Sequence, residues 1–574
     1  MLSSPLNRWG ILIALVGLGL YAFLVRILQL SVLDHHYLIS PDSYYFHWLA
    51  DRVMAGEGPP SPPGVADIYT LHSGLAYPLA YIAKAIASVS GISSAEALEL
   101  ASKYLPPFLG IISMVVIYVV AARIYNYRVA LLSSFAWAAS GHAILHGGAA
   151  GHIDRDVLSM LLLMIGAFIF YFSRDWQFRV GNRDIGWLLA GLSVLAIEAL
   201  LYLEWEPVGP SLLLAILVAY AVVRFILEYA NPVLPKTEQH GTRRLAAAIG
   251  TVNWRTLTFI IGVNAVVVAA LYSRFSGWFT TATNIFGTGG GGNIDELQGV
   301  WARGFLDFTS YHFLLIPIAI GLYLAWKRRD EGGIFFSCWF LCLVVLSMFS
   351  ARVLVWAAPA TSLLAGLGLS FLWDLGGWSP SKLLLKRALV VGLICLMIIS
   401  SFMMVLFIVT TPNMTMYEDW QDALTYLRDH SADDAVVMSW WDSGYWILDV
   451  AQRRPVVDNG YYGWGESQLS DIRTAYLTTE PSEAAQIMNK YGAEYLVFSD
   501  THSAPIIMTW PGRPRQIDGK NPSFPKDSLV ARSLAGDFES EGGLELWYRS
   551  DEYRVDPDST VVILRLRHDQ STQP

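Results

Sequence analysis

The sequence predicts a multi-span α-helical membrane domain followed by a soluble mixed α/β domain. Three observations predict it. Hydrophobic residues make up 54% of the 574 residues and charged residues only 15%, against roughly 25% charged in an average soluble domain. The mean hydropathy is +0.41. The apolar residues fall in long runs up to residue 410, and residues 411–574 revert to mixed charge, Pro, Gly and short alternating stretches. The net charge of −9, with no dense Lys/Arg stripe, excludes a nucleic-acid binder. Cys338, Cys342 and Cys395 all sit in apolar runs, so no disulfide framework holds the second domain.

A bilayer core takes roughly 20 apolar residues in helical form. Eleven such runs are legible: 10–33, 105–122, 129–147, 157–173, 186–203, 209–227, 257–273, 310–326, 333–350, 353–373 and 388–410. The first has no A-x-A cleavage site after it and reads as a retained helix. With the N-terminus inside, the inside loops carry Arg123 and Arg128; Arg174, Arg179 and Arg183; Lys236, Arg243, Arg244 and Arg255; Lys327, Arg328 and Arg329; and Lys382, Lys386 and Arg387. Every inside loop is basic, which is the pattern that sets orientation. The odd span count puts the C-terminal domain outside. The expected division is therefore 1–410, a transmembrane domain of about eleven to thirteen helices, and 411–574, a periplasmic or extracellular domain. The membrane expected is the plasma (inner) membrane.

Four carboxylates stand out, all in outside loops. Asp42 follows the first span in Ser40-Pro41-Asp42-Ser43-Tyr44-Tyr45-Phe46-His47. Asp154 and Asp156 lie in a short loop, in Gly151-His152-Ile153-Asp154-Arg155-Asp156. Glu296 lies in the long loop 274–309, after the glycines at 287 and 289–292. Loop acids are ordinarily solvated. Asp154 and Asp156 differ because their loop pins both near the membrane surface. Two carboxylates two residues apart raise each other's proton affinity unless a cation neutralises them. An oxygen-rich site of this kind suits Mg²⁺ or Mn²⁺, above all when a phosphate completes the shell. His152 and His47 flank the acids and read as hydrogen bonders rather than ligands. The glycines allow the Glu296 segment to open and close, with Arg274 near one hinge.

The C-terminal domain opens with a helix-like stretch, Tyr417 to His430, then a strand-like run, Ala435 to Ser439. The strand ends in Trp440-Trp441-Asp442-Ser443-Gly444-Tyr445-Trp446. One Trp at such a turn reads as buried core. The whole string, with indole N–H groups beside a carboxylate, makes a small pocket for a hydroxyl.

That string resembles the Trp-Trp-Asp-Tyr-Gly signature of the catalytic subunits of the oligosaccharyltransferases, the enzymes of asparagine-linked glycosylation. The resemblance runs through almost the whole chain. It matches an acid after the first span (Asp42), an Asp-x-Asp-like pair (Asp154, Asp156), a Glu near the end of a mobile loop (Glu296) and an Arg at a helix end (Arg352). The chain looks most like the single-subunit bacterial and archaeal enzymes. Ser443 departs from the signature's Tyr, and the family's second acceptor motif has only a poor match at Ile507 and Met508.

The resemblance implies a GT-C type glycosyltransferase architecture. It implies transfer of an oligosaccharide from a polyprenyl pyrophosphate to the side-chain amide of Asn in an Asn-x-Ser/Thr sequon, with inversion. It implies that Asp42 and Glu296 hold the acceptor amide and that Asp42, Asp154 and Asp156 hold Mn²⁺ or Mg²⁺. Trp440, Trp441 and Asp442 would contact the acceptor's Ser/Thr hydroxyl. Arg352 would contact the donor pyrophosphate or an acid two residues before the acceptor Asn; its plainer reading is an interfacial anchor. The partners expected are the lipid-linked oligosaccharide, acceptor proteins and the bilayer. The chain's own sequon, Asn413-Met414-Thr415, has Thr411 and no acid two residues before it, and Asn521-Pro522-Ser523 is blocked by proline.

Three other readings compete. A lipid-linked glycosyltransferase acting on a lipid or polymer accounts for the spans and acids but not for Trp440-Trp441-Asp442. A transporter calls for paired charges within spans, and these spans hold few beyond Arg26, Glu198 and Arg224. A non-catalytic binding module on an anchor needs one span rather than eleven.

Overall fold

The structure, a computed structural model, describes residues 5–31, 38, 40–57, 74–146, 148–173, 175–176, 178–180, 183–205, 208–229, 253–270, 314–348, 351–374, 380–410, 416, 418–458, 466–499, 525–550 and 560–567. In chain order the helices of the first 410 residues are α1 (Pro5–Ile27), α2 (Pro41–Ala55), α3 (Ala76–Ser90), α4 (Ser94–Ile124), α5 (Tyr127–Ala139), α6 (Gly141–Leu145) and α7 (Arg155–Ser173). After a two-stranded ribbon, β1 (Arg179–Val180) and β2 (Arg183–Asp184), come α8 (Gly186–Trp205), α9 (Val208–Tyr229), α10 (Trp254–Ala270), α11 (Leu315–Arg328), α12 (Glu331–Ser347), α13 (Ala358–Asp374) and α14 (Pro380–Thr410). Each of the eleven apolar runs contains a helix. Seven helices among the described residues are long and apolar enough to cross a membrane, and two shorter apolar ones lie at Trp254–Val267 and Glu331–Ser347.

The chain divides into two compact units. The first is Met1–Gln29, Tyr104–Ala150 and Arg155–Phe407; the second is Leu30–Lys103, Gly151–Asp154 and Ile408–Pro574. The segment after the first span therefore clusters with the C-terminal residues.

The first unit is a helical bundle around α13. The span containing that helix is 94% buried. Its small residues let neighbouring backbones approach, as in membrane helix packing generally. A Cβ on Gly368 would lie 2.0 Å from the Pro317 carbonyl oxygen on α11. Trp137, Phe335, Phe336 and Trp339 are fully buried in the core. The intramembrane polar groups find partners inside the bundle. Asn264 donates to Glu198 at 2.8 Å, tying α10 to α8. Arg26 donates to the Ala22 and Ala143 carbonyls at 3.1 and 2.9 Å. Arg224 lies 3.9 Å from Glu331. Asp330 caps α12 through the Gly333 N–H and also accepts from the Tyr125 hydroxyl, at 2.7 and 2.6 Å.

In the second unit, α4 starts at a capping box. The Ser93 hydroxyl accepts from the Glu96 N–H, and the Glu96 carboxylate accepts from the Ser93 N–H. The C-terminal part opens with α15 (Glu418–His430), whose buried face is Trp420, Ala423, Leu424 and Leu427, the i, i+3, i+4, i+7 spacing of an amphipathic helix. Strands β3 (Val436–Met438) and β4 (Arg454–Pro455), helices α16 (Glu466–Leu477) and α17 (Pro481–Lys490), strand β5 (Tyr495–Ser499), helix α18 (Leu529–Ala535) and strands β6 (Ser540–Glu541), β7 (Leu544–Arg549) and β8 (Val561–Leu566) follow. The six strands form one mixed sheet in the order β4-β3-β5-β8-β7-β6. β3 is parallel to both neighbours, and the remaining pairs are antiparallel. β5 is buried on both faces, as a central strand between covering helices must be. The α/β reading of this region holds.

Candidate functional site: an acidic loop and an aromatic motif

The second unit places the first acid at a helix start. Pro41 opens α2 and Asp42 lies in its first turn, a position where proline fits and negative charge is favourable. Ser43 is fully buried. Its hydroxyl accepts from the Ile153 backbone N–H at 2.8 Å. Asp42 precedes Ser43 and Asp154 follows Ile153, so one bond joins the chain segments that carry the two acids. Asp154 is 4% exposed and His152 is 5% exposed. Asp154 is therefore not a solvated loop residue, and Asp42 is half-buried.

Two prolines inside α4 explain how the acidic loop is seated. Pro107 has no N–H, so the carbonyl four residues earlier, that of Lys103, loses its helical donor. The Gly151 N–H takes that carbonyl at 3.1 Å. In the first unit, Gly148 lies so close to the other proline that a Cβ would meet the Pro106 carbonyl oxygen at 2.5 Å, and its φ is +136°. Only glycine fits there.

Asp156 opens α7 and is fully buried. His146 Nδ1 lies 3.2 Å from its Oδ2. That spacing is the one an ion pair has, and it is also the roughly 3 Å that two ligands of one divalent cation at about 2.1 Å would have. Arg26 frames the segment carrying His146: its guanidinium holds the Ala143 carbonyl and its own carbonyl accepts from the Ala150 N–H at 2.7 Å.

The aromatic motif leaves the carboxyl end of β3, which is where open parallel sheets place ligands. Trp440 is fully buried and packs with Met438, Val457 and Leu469. Trp441 is partly exposed, and Asp442 is 6% exposed in a tight helical turn, Trp441–Ser443. Tyr476 on α16 sets this turn. Its hydroxyl accepts from the Trp440 N–H at 2.9 Å and donates to the Val497 carbonyl at 2.7 Å. Burial raises the Tyr476 phenol well above its ordinary pKa, so it stays protonated. Gly444 is required by close approach: a Cβ would lie 2.6 Å from the Val457 carbonyl oxygen.

After the turn the chain continues helically through Gly444–Trp446 and Ile447–Ala451. Here α2 packs on it, within the same unit. The Tyr45 and Tyr445 rings stack at 4.8 Å and Tyr44 meets the Trp446 edge at 6.3 Å. His47 Nδ1 lies 2.9 and 3.1 Å from the two Asp449 oxygens. A carboxylate only accepts, so Nδ1 is the donor. Burial pushes the His47 pKa down, but the charge and bond of Asp449 outweigh it, aided by Asp51 and Glu99, and the net shift is upward.

Of the residues expected from sequence, Asp42, Asp154, Trp440, Trp441 and Asp442 fall in the second unit and Asp156 in the first. Glu296, the glycine run, Arg274, Ile507, Met508, Asn413 and Asn521 lie outside the described residues. Arg352 sits in a helical turn, Ala351–Ala357, and its side chain lies outside the described residues. His146, Tyr476 and Asp449 are not legible as site residues in the sequence. Pro106-Pro107 within an apolar run was the available signal, because it marks carbonyls that need donors from elsewhere.

Comparison with known proteins bears on these geometries. The family model described as the AglB core domain matches residues 409–503. The chain is 23% identical over 249 residues to the "dolichyl-diphosphooligosaccharide--protein glycosyltransferase subunit stt-3" of Caenorhabditis elegans, covering 34% of this chain and 32% of that one. It is 23% identical over 346 residues to "dolichyl-phosphooligosaccharide-protein glycotransferase 2" of Pyrococcus horikoshii, covering 58% of this chain and 45% of that one. The chain spans about a third of the length of the first of these relatives and under half of the second. Its fold matches the archaeal oligosaccharyltransferase AglB from Archaeoglobus fulgidus, solved with an inhibitory peptide and a dolichol-phosphate, at a TM-score of 0.71 and 14% identity over 96% of this chain and 80% of that one. It also matches ArnT from Cupriavidus metallidurans bound to undecaprenyl phosphate, at a TM-score of 0.52 and 12% identity over 96% and 98%. The helical bundle followed by a mixed-sheet domain is thus the GT-C type architecture, and the chain is similar to the STT3/AglB oligosaccharyltransferases.

Proposed function

We propose that the protein transfers an oligosaccharide from a polyprenyl-pyrophosphate donor to the side-chain amide of Asn in an Asn-x-Ser/Thr sequon. The observation that carries this reading is the packing of α2, with Asp42 in its first turn, on the helical run that follows Trp440-Trp441-Asp442. A group that takes the acceptor amide and a group that takes the acceptor hydroxyl then belong to one body. The names of the relatives, dolichyl-linked oligosaccharide–protein glycosyltransferases, support transfer of a glycan to protein.

The difficulty lies in the amide, whose nitrogen lone pair is delocalised into the carbonyl. Asp42 and Glu296 accept its two N–H bonds and turn the nitrogen toward the anomeric carbon. The new C–N bond forms as the C–O bond to pyrophosphate breaks on the opposite face, which inverts the configuration, and a carboxylate takes the amide proton. Asp442 accepts from the Ser/Thr hydroxyl, with Trp441 partly exposed beside it. Asp42, Asp154 and Asp156 are the ligands proposed for Mn²⁺ or Mg²⁺. A divalent cation held there would supply positive charge to the leaving pyrophosphate. Arg352 suits bidentate contact to a phosphate or a carboxylate. The basic short loops support a C-terminal domain outside the plasma membrane, and we take the chain to act as a single subunit.

The test is transfer to a fluorescent Asn-x-Thr peptide from lipid-linked oligosaccharide with Mn²⁺, with and without chelator, beside Asp42→Ala. A shift that needs both metal and Asp42 supports the reading. A folded protein that binds the peptide but glycosylates only lipid would replace it with a lipid-directed transferase.

A further inference from the structure

The contacts between α2 and residues 444–451 differ in kind. The Tyr45–Tyr445 and Tyr44–Trp446 contacts are ring against ring. Such contacts tolerate sliding, because offset and edge geometries are close in energy. The His47–Asp449 contact is directional, with one N–H held between two carboxylate oxygens at 2.9 and 3.1 Å. It joins residues 402 positions apart in the chain. His47 lies on the helix that begins with Asp42, and Asp449 lies on the run that begins with Trp441-Asp442.

We infer that His47 is a positioning residue: by holding Asp449 it fixes the register of α2 against the run that follows Trp440-Trp441-Asp442. It thereby sets the gap between the carboxylate that takes the acceptor amide and the motif that takes the acceptor hydroxyl. This role rests on the transferase reading above, and it adds a residue that touches neither substrate nor metal.

The charged groups facing His47 are Asp449 across the contact, Asp51 one turn along α2 and Glu99 on α4. Glu99 is itself held by Lys103. All three acids favour the imidazolium. A histidine whose folded pKa is raised contributes its stabilisation fully below the unfolded value, about 6.5, and loses it as pH rises through the folded value. The charge-assisted bond is roughly twice as strong as the neutral one, so the register loosens on the alkaline side.

The experiment uses the full chain in nanodiscs. Acceptor-peptide KM and kcat are measured from about pH 6 to pH 9, a range bracketing histidine titration, for the native protein, His47→Ala, His47→Asn, Asp449→Ala and the double Ala variant. His47→Ala is expected to raise KM about tenfold, the equivalent of losing one hydrogen bond near 1.4 kcal/mol, with kcat within about twofold. The double variant should be no worse than either single one. His47→Asn keeps a donor near the Nδ1 position and should restore most of the KM while abolishing its pH dependence. Hydrogen exchange of residues 444–451, corrected for intrinsic rate, should be slower below the His47 titration than above it in the native protein only. An unchanged KM in His47→Ala while the native protein transfers sugar overturns the inference, as does additivity in the double variant. A native protein that transfers nothing overturns the transferase reading and this role with it. Exchange tells the two failures apart, because it reports the His47–Asp449 bond without catalysis.

Discussion

The Ser43 hydroxyl accepts the Ile153 N–H at 2.8 Å in a fully buried setting, and this bond ties the residue beside Asp42 to the residue beside Asp154. Removing it leaves a buried N–H without its acceptor. Ser43→Ala is expected to destabilise the protein by about 1–3 kcal/mol. It should also weaken Mn²⁺ binding, because the acidic loop loses its seat. Thermal unfolding and a Mn²⁺ titration followed by electron paramagnetic resonance check both. An unchanged Mn²⁺ affinity would show that the loop is held without this bond.

Pro107→Ala restores an N–H that competes for the Lys103 carbonyl. Proline inside a helix ordinarily costs about 3 kcal/mol, so α4 itself should gain stability. The Gly151 N–H should lose its partner, and its exchange should quicken. Faster exchange at residues 148–156 in a protein with an equal or higher Tm is the expected combination.

Tyr476→Phe removes a hydroxyl that serves Trp440 and Val497 together. One buried donor and one buried acceptor are left unmet, at about 1–3 kcal/mol. The indole of Trp440 stays in the core while its backbone shifts. The acceptor KM should rise more than kcat falls, as a steady-state comparison would show.

Asp156→Asn tests the pairing with His146. The variant keeps the volume and loses the charge, so Mn²⁺ affinity should fall by at least tenfold while the fold survives. His146→Ala should lower it less, since one carboxylate less costs more charge than one imidazole. Reversal of that order would make His146 the dominant ligand.

Glu545 reports the stability of the sheet in acid. Burial pushes its pKa up, but the bonds from Arg565 and Arg567 outweigh it and hold it below the ordinary value. Its contribution is therefore present above the unfolded pKa and lost as pH falls through the folded one. Glu545→Gln should lower Tm at pH 7 and have no effect at about pH 2, below the usual carboxylate range.

The sequence by itself determined the features that local composition encodes. Apolar runs placed a helix in each of eleven segments, and the composition of residues 411–574 marked a region with a mixed sheet. The strand before Trp440 was legible as a short apolar run, and the helix ending at His430 as a helix-like stretch with apolar residues at i, i+3 and i+4. The acids were legible as residue types in short loops, and Trp440-Trp441-Asp442 as a string. The tertiary structure decided what these residues meet. Residues 30–103 cluster with the C-terminal domain, although 300 residues of helical bundle separate them in the chain. Trp440 is a core residue whose backbone is held by Tyr476, and Asp156 faces His146 rather than open solvent. Each of these relations joins positions far apart or across a turn, where periodicity carries no information. They are decided by buried polar groups finding partners once the chain has packed.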